Sequence, residues 1–140
     1  MTAGSGAAAA APRRRRLRWR DDRGAAVAES TMVMTLVVLL FAVLLQAGLV
    51  IHTRNVMIDA ASAGARYGAL ADRVPEDGVQ RARELLAAGV PGQSGARIVA
   101  EPTSQDGVPV LRVTISSSLP GLGFLPGPIP VEVSGHAHRL

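Results

Sequence analysis

The run "STMVMTLVVLLFAVLLQAGLVI", residues 30–51, contains no formal charge over 22 positions. At 1.5 Å of rise per residue a helix of that length spans about 30 Å, the thickness of bilayer hydrocarbon. A helix that is apolar on every side needs either lipid or a large protein around it, and a chain of 140 residues cannot supply the latter. The run therefore reads as a membrane helix, and any water-soluble domain has to be built from the residues beyond 51.

Charge is distributed to match. Residues 1–24 hold seven Arg and two Asp, a net of +5, whereas residues 25–140 hold eight Arg and nine acids, a net of −1. The high isoelectric point thus belongs to a short block, Arg13 to Arg16, Arg18, Arg20 and Arg23, and not to a nucleic-acid-binding face. Trp19, Phe41, Tyr67 and Phe124 are the only large aromatics, too few for base stacking, so no nucleic-acid partner is expected. Seven Arg before the apolar run against His52 and Arg54 just after it place the N-terminus in the cytoplasm and residues beyond 51 outside. Cysteine is absent, which removes disulfides and thiolate metal sites and leaves packing as the source of stability.

Residues 1–12 have no hydrophobic pattern and read as a tail. After the apolar run, "RNVMIDAASAGARYGALA" keeps helical spacing, with Val56, Ala60, Ala63, Tyr67 and Leu70 on one stripe. One helix of about 70 Å is expected from Ala25 to Ala71. Pro75, followed by Glu76 and Asp77, opens a second helix with Val79, Ala82, Leu85 and Leu86 on one face, and Gly89 and Pro91 close it. The period then changes to two. Ala96–Glu101 and "VLRVTISSS" flank a turn at 105–107, and 129–137 alternates Val131, Val133 and Gly135 with Glu132, Ser134 and His136. The expected fold is α+β: a long N-terminal membrane-spanning helix extended outside the membrane, a short second helix and a three-stranded antiparallel sheet. One face of that sheet should pack on the short helix and on the 56–70 stripe. Leu122, Phe124 and Leu125, in the loop 119–130, are expected to fold back.

Glu29 is the residue that composition does not explain. An ionised acid on a lipid-facing helix costs about 2.5 kcal/mol or more at the bilayer centre, and such acids usually mark a pairing partner or a function. Close to the cytoplasmic start of the run, Glu29 could also simply complement the positive end of the helix dipole. Both readings stand on the residues alone.

The order of a basic leader, Gly24, then Ala25, Ala26, Val27, Ala28 and Glu29, then the apolar run, resembles the processing site of type IV prepilins. Within that superfamily, "RGAAVAES" and "HTRNVMIDAASAGARYGALA" resemble the TadE-like pseudopilins of tight-adherence (Flp) pilus systems. The resemblance implies cleavage by a prepilin peptidase between Gly24 and Ala25. It also gives Glu29 an assembly role, pairing with the new α-amino group of a neighbouring subunit. Ser30 stands where many such pilins have an aromatic, and Met34 and Thr35 stand where many have a proline. Major Flp pilins are little more than the helix, so the additional seventy or so residues point to a minor pseudopilin. The implied organisation is a cleaved cytoplasmic leader at 1–24, a transmembrane assembly helix at 25–51, its extracytoplasmic continuation at 52–73 and a small α+β domain at 74–140. The implied partners are membrane lipid, the peptidase, other pilins or pseudopilins and the assembly machinery.

Ala60, Gly64 and Gly68 would let another backbone approach the helix closely, either the chain's own sheet or a second subunit. His136 and His138 share a strand face with Glu132 but lack a further ligand, so no metal site is expected. No nucleophile–base set, carboxylate pair or phosphate loop is present in the sequence. An enzyme, a cofactor and a small-molecule substrate are therefore not expected. The competing reading is an uncleaved single-pass protein that presents a small extracytoplasmic binding domain.

Overall fold

The computed structural model describes residues 1–4, 6, 15–119 and 127–139, with the backbone alone for 15–20. Arg13 and Arg14 of the basic block, and Leu122, Phe124 and Leu125 of the loop expected to fold back, lie outside the described residues. The described residues form two helices and three strands: α1 (Arg15–Gly68), α2 (Pro75–Gly89), β1 (Arg97–Gln105), β2 (Val108–Leu119) and β3 (Ile129–His138). It divides into two compact units, Met1–Val43 and Leu44–Leu140, and α1 contributes to both.

In the first unit α1 is a helix with an uncovered apolar surface. Its most apolar window has a mean hydropathy of 2.7, and α1 alone among the described elements is long and apolar enough to cross a membrane. Met32, Val33 and Met34, successive residues set about 100° apart around the helix, are all exposed. Within the described residues the helix already runs from Arg15, ten residues before the Ala25 read from the sequence. Arginine, leucine and alanine favour helix, and Gly24 costs only about 1 kcal/mol against alanine, which is too little to stop a helix with strong formers on both sides.

The second unit is an α+β sandwich in miniature. β1, β2 and β3 form an antiparallel meander in that order. Asp106 and Gly107 join β1 to β2 with φ of 53° and 81°. Both residues are left-handed, as a two-residue turn matching the strand twist requires. β1 runs on past Pro102 to Gln105, further than Glu101, where sequence reading ended it. An edge strand tolerates a proline because the missing N–H has no neighbour to serve. Across the register, Ile98, Ile115 and Val133 form one row of the inner face, and Ala100, Val113 and Gly135 form the next. These residues share a core with Met57, Ala60, Ala61 and Ala65 of α1 and with Ala82 and Leu86 of α2.

α2 starts where proline chemistry places it. Pro75 has no N–H to leave unpaired at the first helical position, and the Val74 N–H donates to the Asp77 carboxylate at 3.2 Å. Glu76 and Asp77 also offset the positive end of the helix. At the other end the Val90 N–H donates to the Leu86 carbonyl at 2.9 Å.

The face of α1 that packs overlaps the stripe read from the sequence at Ala60 and Val56 but is turned away from Leu70. Buried positions are Thr53, Met57, Ala60, Ala61, Gly64, Ala65, Gly68 and Ala69, while Val56, Ala63 and Tyr67 are half-buried and Leu70 is exposed. The helix is rotated so that its smallest side chains meet the domain. A hydrophobic stripe scored by size favours Tyr67 and Leu70, but backbone approach favours alanine and glycine, and here approach decides. α1 also ends at Gly68 rather than Ala71, and a turn carries the chain through Leu70, where the Arg73 N–H donates to the Leu70 carbonyl at 3.1 Å.

Candidate functional site

Two stretches of α1 carry the residues singled out in the sequence. Gly24, Ala25 and Glu29 lie on the exposed helix of the first unit, and Ala60, Gly64 and Gly68 lie in the second.

Around Gly24 the helix is continuous, and a β-carbon added there would meet nothing within 4 Å. Five residues later Glu29 is exposed. Two threonines just beyond it in the apolar run are handled differently. Thr31 Oγ1 donates to the Val27 carbonyl at 2.8 Å, and Thr35 Oγ1 donates to the Thr31 carbonyl at 2.8 Å. Each hydroxyl is thereby satisfied within the helix and can face lipid at little cost. An ionised carboxylate only accepts, and every nearby helical N–H is already engaged with a carbonyl one turn back. Glu29 is therefore the charged group on this stretch, and its own helix offers it no donor.

In the second unit the small residues are closed in by their own chain. Ala60 is 1% exposed. A β-carbon on Gly64 would stand 2.6 Å from the Gly78 carbonyl oxygen and 2.8 Å from Ala82 Cβ. One on Gly68 would stand 2.8 Å from Leu111 Cδ2 and 3.1 Å from Gly78 Cα. At Gly64 such distances leave no room for a methyl group without backbone movement, and at Gly68 the tip of Leu111 and the Gly78 backbone would both have to give way. Sequence reading left open whether this G-x-x-x-G spacing serves the chain's own domain or a second subunit, and within the chain it is α2 and β2 that sit against it. Two partner glycines complete the seam. Gly78 of α2 meets Gly64 and Gly68, and Gly135 of β3 rests on the α1 backbone, where an added β-carbon would lie 2.5 Å from the Ala61 carbonyl carbon. Gly135 could be placed on the inner face by alternation, but Gly78 carries no signal in "PEDGVQ", because its role depends on what crosses it in space.

The outer face of the sheet is polar and internally paired. Arg112 Nε donates to His136 Nε2 at 2.9 Å, and Ser116 Oγ donates to the Glu132 carboxylate at 3.2 Å. At the α1–α2 corner the Arg73 guanidinium lies 4.8 Å from the centre of the Tyr67 ring. Among the described residues no group of three or more His, Asp or Glu is arranged to hold a metal ion.

Residues 24–66 match the family model of TadE-like proteins. The matched segment starts at Gly24, includes Glu29 and the apolar run, and ends within the small-residue seam. It supports a membrane protein associated with the Tad pilus and its assembly machinery, with one N-terminal helix suited to a single membrane crossing. No curated protein and no solved structure matches the chain.

Proposed function

We propose that this chain is a minor pseudopilin-like subunit of a tight-adherence (Flp) pilus or a related secretion apparatus. In this reading a prepilin peptidase cuts it between Gly24 and Ala25, and the subunit joins its partners through α1. Its role is structural and not enzymatic. The arginine block holds the leader in the cytoplasm, so the domain formed by α2 and the sheet lies outside the cytoplasmic membrane. Glu29 pairs with the α-amino group that cleavage creates on a neighbouring subunit, an ion pair worth far more in a low-dielectric layer than in water.

The observation that carries the reading is the family match beginning at Gly24, together with an acid five residues on that its own helix leaves unpaired. Gly24→Ala tests the processing half. Space around Gly24 is open and alanine favours helix, so the variant should insert and fold normally. Edman sequencing of chains recovered from membranes is expected to begin at Ala25 for the parent and to show a large unprocessed fraction for the variant. A parent that retains Met1 sinks the proposal. Glu29→Gln tests the assembly half, because the amide cannot neutralise a cation and lies downstream of the cut. Trimming should proceed while co-purification with other pilus subunits drops about tenfold or more, the equivalent of about 1.4 kcal/mol. Undiminished recovery would return Glu29 to a helix-dipole role.

A further inference from the structure

β1 and β3 are the two edges of the sheet, and the ladder fixes which of their backbone groups face outward. The Arg139 N–H donates to the Pro109 carbonyl at 3.0 Å, one step past the Val110–His138 pair, so Arg139 and Pro109 form a bonded pair. Bonded pairs alternate with unbonded ones in an antiparallel ladder. On β3, therefore, Val133, Gly135 and Ala137 bond to β2, whereas Glu132, Ser134, His136 and His138 turn their N–H and C=O groups outward. On β1 the two-residue turn closes with a bonded Gln105–Val108 pair, which leaves Ile98, Ala100, Pro102 and Ser104 facing outward. Among the described residues none of these outward groups has a backbone partner. An open edge of this kind is a template for another strand.

Side chains restrict which strand fits. Across the register, Arg97, Ser116 and Glu132 form one row of the outer face, and Glu101, Arg112 and His136 form another. Each row thus carries complementary groups at its two ends. Orientation restricts the fit further. Leu111 touches α1 at Gly68, Gly135, the partner of Val113, rests on Ala61 and Ser62, and Ile115 shares the core with Met57, so the strands lie along α1. A pairing of like edges that keeps both polar faces on one side is antiparallel and sets the two α1 helices in opposite directions. Copies inserted into one membrane by the same rule point the same way. β1 and β3 run in the same direction, so β3 against β1 of a second copy preserves both the faces and the direction of α1.

We propose that β3 of one copy pairs in parallel with β1 of a second copy, the rows running on unbroken from one sheet to the next. Glu132 then lies beside the second copy's Arg97, and His136 beside its Glu101. His136 Nε2 accepts from Arg112, so the ring proton sits on Nδ1 and can be donated to that Glu101 carboxylate. On the inner face Val133 and Gly135 meet the second copy's Ile98 and Ala100. The Ser134 N–H donates to that Ile98 carbonyl and the Ser134 carbonyl accepts from that Ala100 N–H, the slanted pattern of parallel strands. Pro102 withholds one bond, that to the His136 carbonyl, which stays hydrated. The contact joins unlike edges and does not close, so it builds a row of copies and not a two-fold dimer. It goes beyond the function proposed above and needs neither a cut after Gly24 nor a partner for Glu29.

In this register Ser134 and the second copy's Val99 are side by side, with Cα atoms about 4.8 Å apart and inside disulfide reach. The parent chain has no cysteine, so disulfide trapping has no background. Ser134→Cys and Val99→Cys are carried on separate full-length chains with tags of different size, co-inserted into one membrane and oxidised with copper phenanthroline. A reducible 134–99 product between the two chains is expected, well above the 134–134 and 99–99 products of either chain alone. A 134–99 yield no higher than those, or a dominant 134–134 product from antiparallel β3 edges, would overturn the proposal. Charge reversal tests the register separately. Glu132→Arg on the Ser134→Cys chain, or Arg97→Glu on the Val99→Cys chain, puts like charges side by side and should lower the yield at least about threefold. Combining the two restores an opposite pair and should restore the yield, which a folding defect in either chain would not allow. Unchanged yields in the single reversals, or a combined yield as low as either alone, would count equally against the proposal.

Discussion

One helix is asked to do two different things along its length. Between Val27 and Leu45 it presents Val, Met, Leu and Phe on all sides, and nearly all of these are exposed. Between Met57 and Ala69 it presents alanine and glycine on one side, and that side is buried almost completely. The first pattern is what lipid or neighbouring helices accept, since neither requires a particular fit to each side chain. The second serves backbone approach, in which gains come from dispersion contacts at short range and any added atom meets main chain. Hydrophobicity thus rises where packing by the chain itself is absent, and falls where that packing is tightest.

The hardest test of the second region is Gly135→Val. A side chain there has to pass through the Ala61–Ser62 backbone, with the nearest atoms at 2.5 Å. Overpacking against backbone costs about 3 kcal/mol or more, a large fraction of a small domain's stability. Hydrogen exchange of the β2 amides in detergent or nanodiscs should show their protection largely lost, while the amides between Val33 and Leu40 stay protected by the helix. Retained β2 protection would mean that the sheet does not sit on α1 in the way described.

Met57→Ala is expected to have the next largest effect. Met57 is 0% exposed and lies among Ile115, Val133 and Leu86. Its truncation opens a cavity under the sheet and should cost about 2–4 kcal/mol, read as earlier exchange of the strand amides and a lower thermal midpoint of the domain. A cost below about 0.5 kcal/mol would show that the core closes around the gap, and would weaken the claim that tight approach governs this region.

The same contrast explains how much of this was legible in the sequence. The apolar run, the strand alternation and the Pro75 helix start are local patterns, and each appears in the structure close to where the residues indicated. The phase of the outer helix is not local. Of the stripe Val56, Ala60, Ala63, Tyr67 and Leu70, Ala60 and Val56 pack on the core, but Tyr67 and Leu70 give way to Ala61, Gly64, Ala65 and Gly68, because the opposing surface also carries glycine, at Gly78 and Gly135. Nothing within either segment announces that pairing. At Glu29 the sequence raised the question, and the structure adds the contrast with Thr31 and Thr35, which bond to carbonyls of their own helix. The identity of the group that meets the acid lies in another molecule and could enter only through a family resemblance.

The smallest expected effect is also the most informative comparison. Met34 has the same side chain as Met57, sits on the same helix and is 64% exposed. Met34→Ala removes the same atoms, but no core surrounds them, so no cavity remains and lipid or a neighbouring helix fills the space. The substitution shares no partner with the sheet, and distant, independent sites leave one another's stabilities unchanged within about 0.3–0.5 kcal/mol. Strand-amide exchange in Met34→Ala should therefore be indistinguishable from the parent, and membrane insertion should be intact because the run remains uncharged. Any effect should appear instead in the recovery of partner subunits, where Met34 would contribute contact area between helices. If Met34→Ala loosens the sheet as much as Met57→Ala does, the two regions are not energetically separate, and the division of α1 into a stretch that faces other molecules and a stretch that faces its own domain fails.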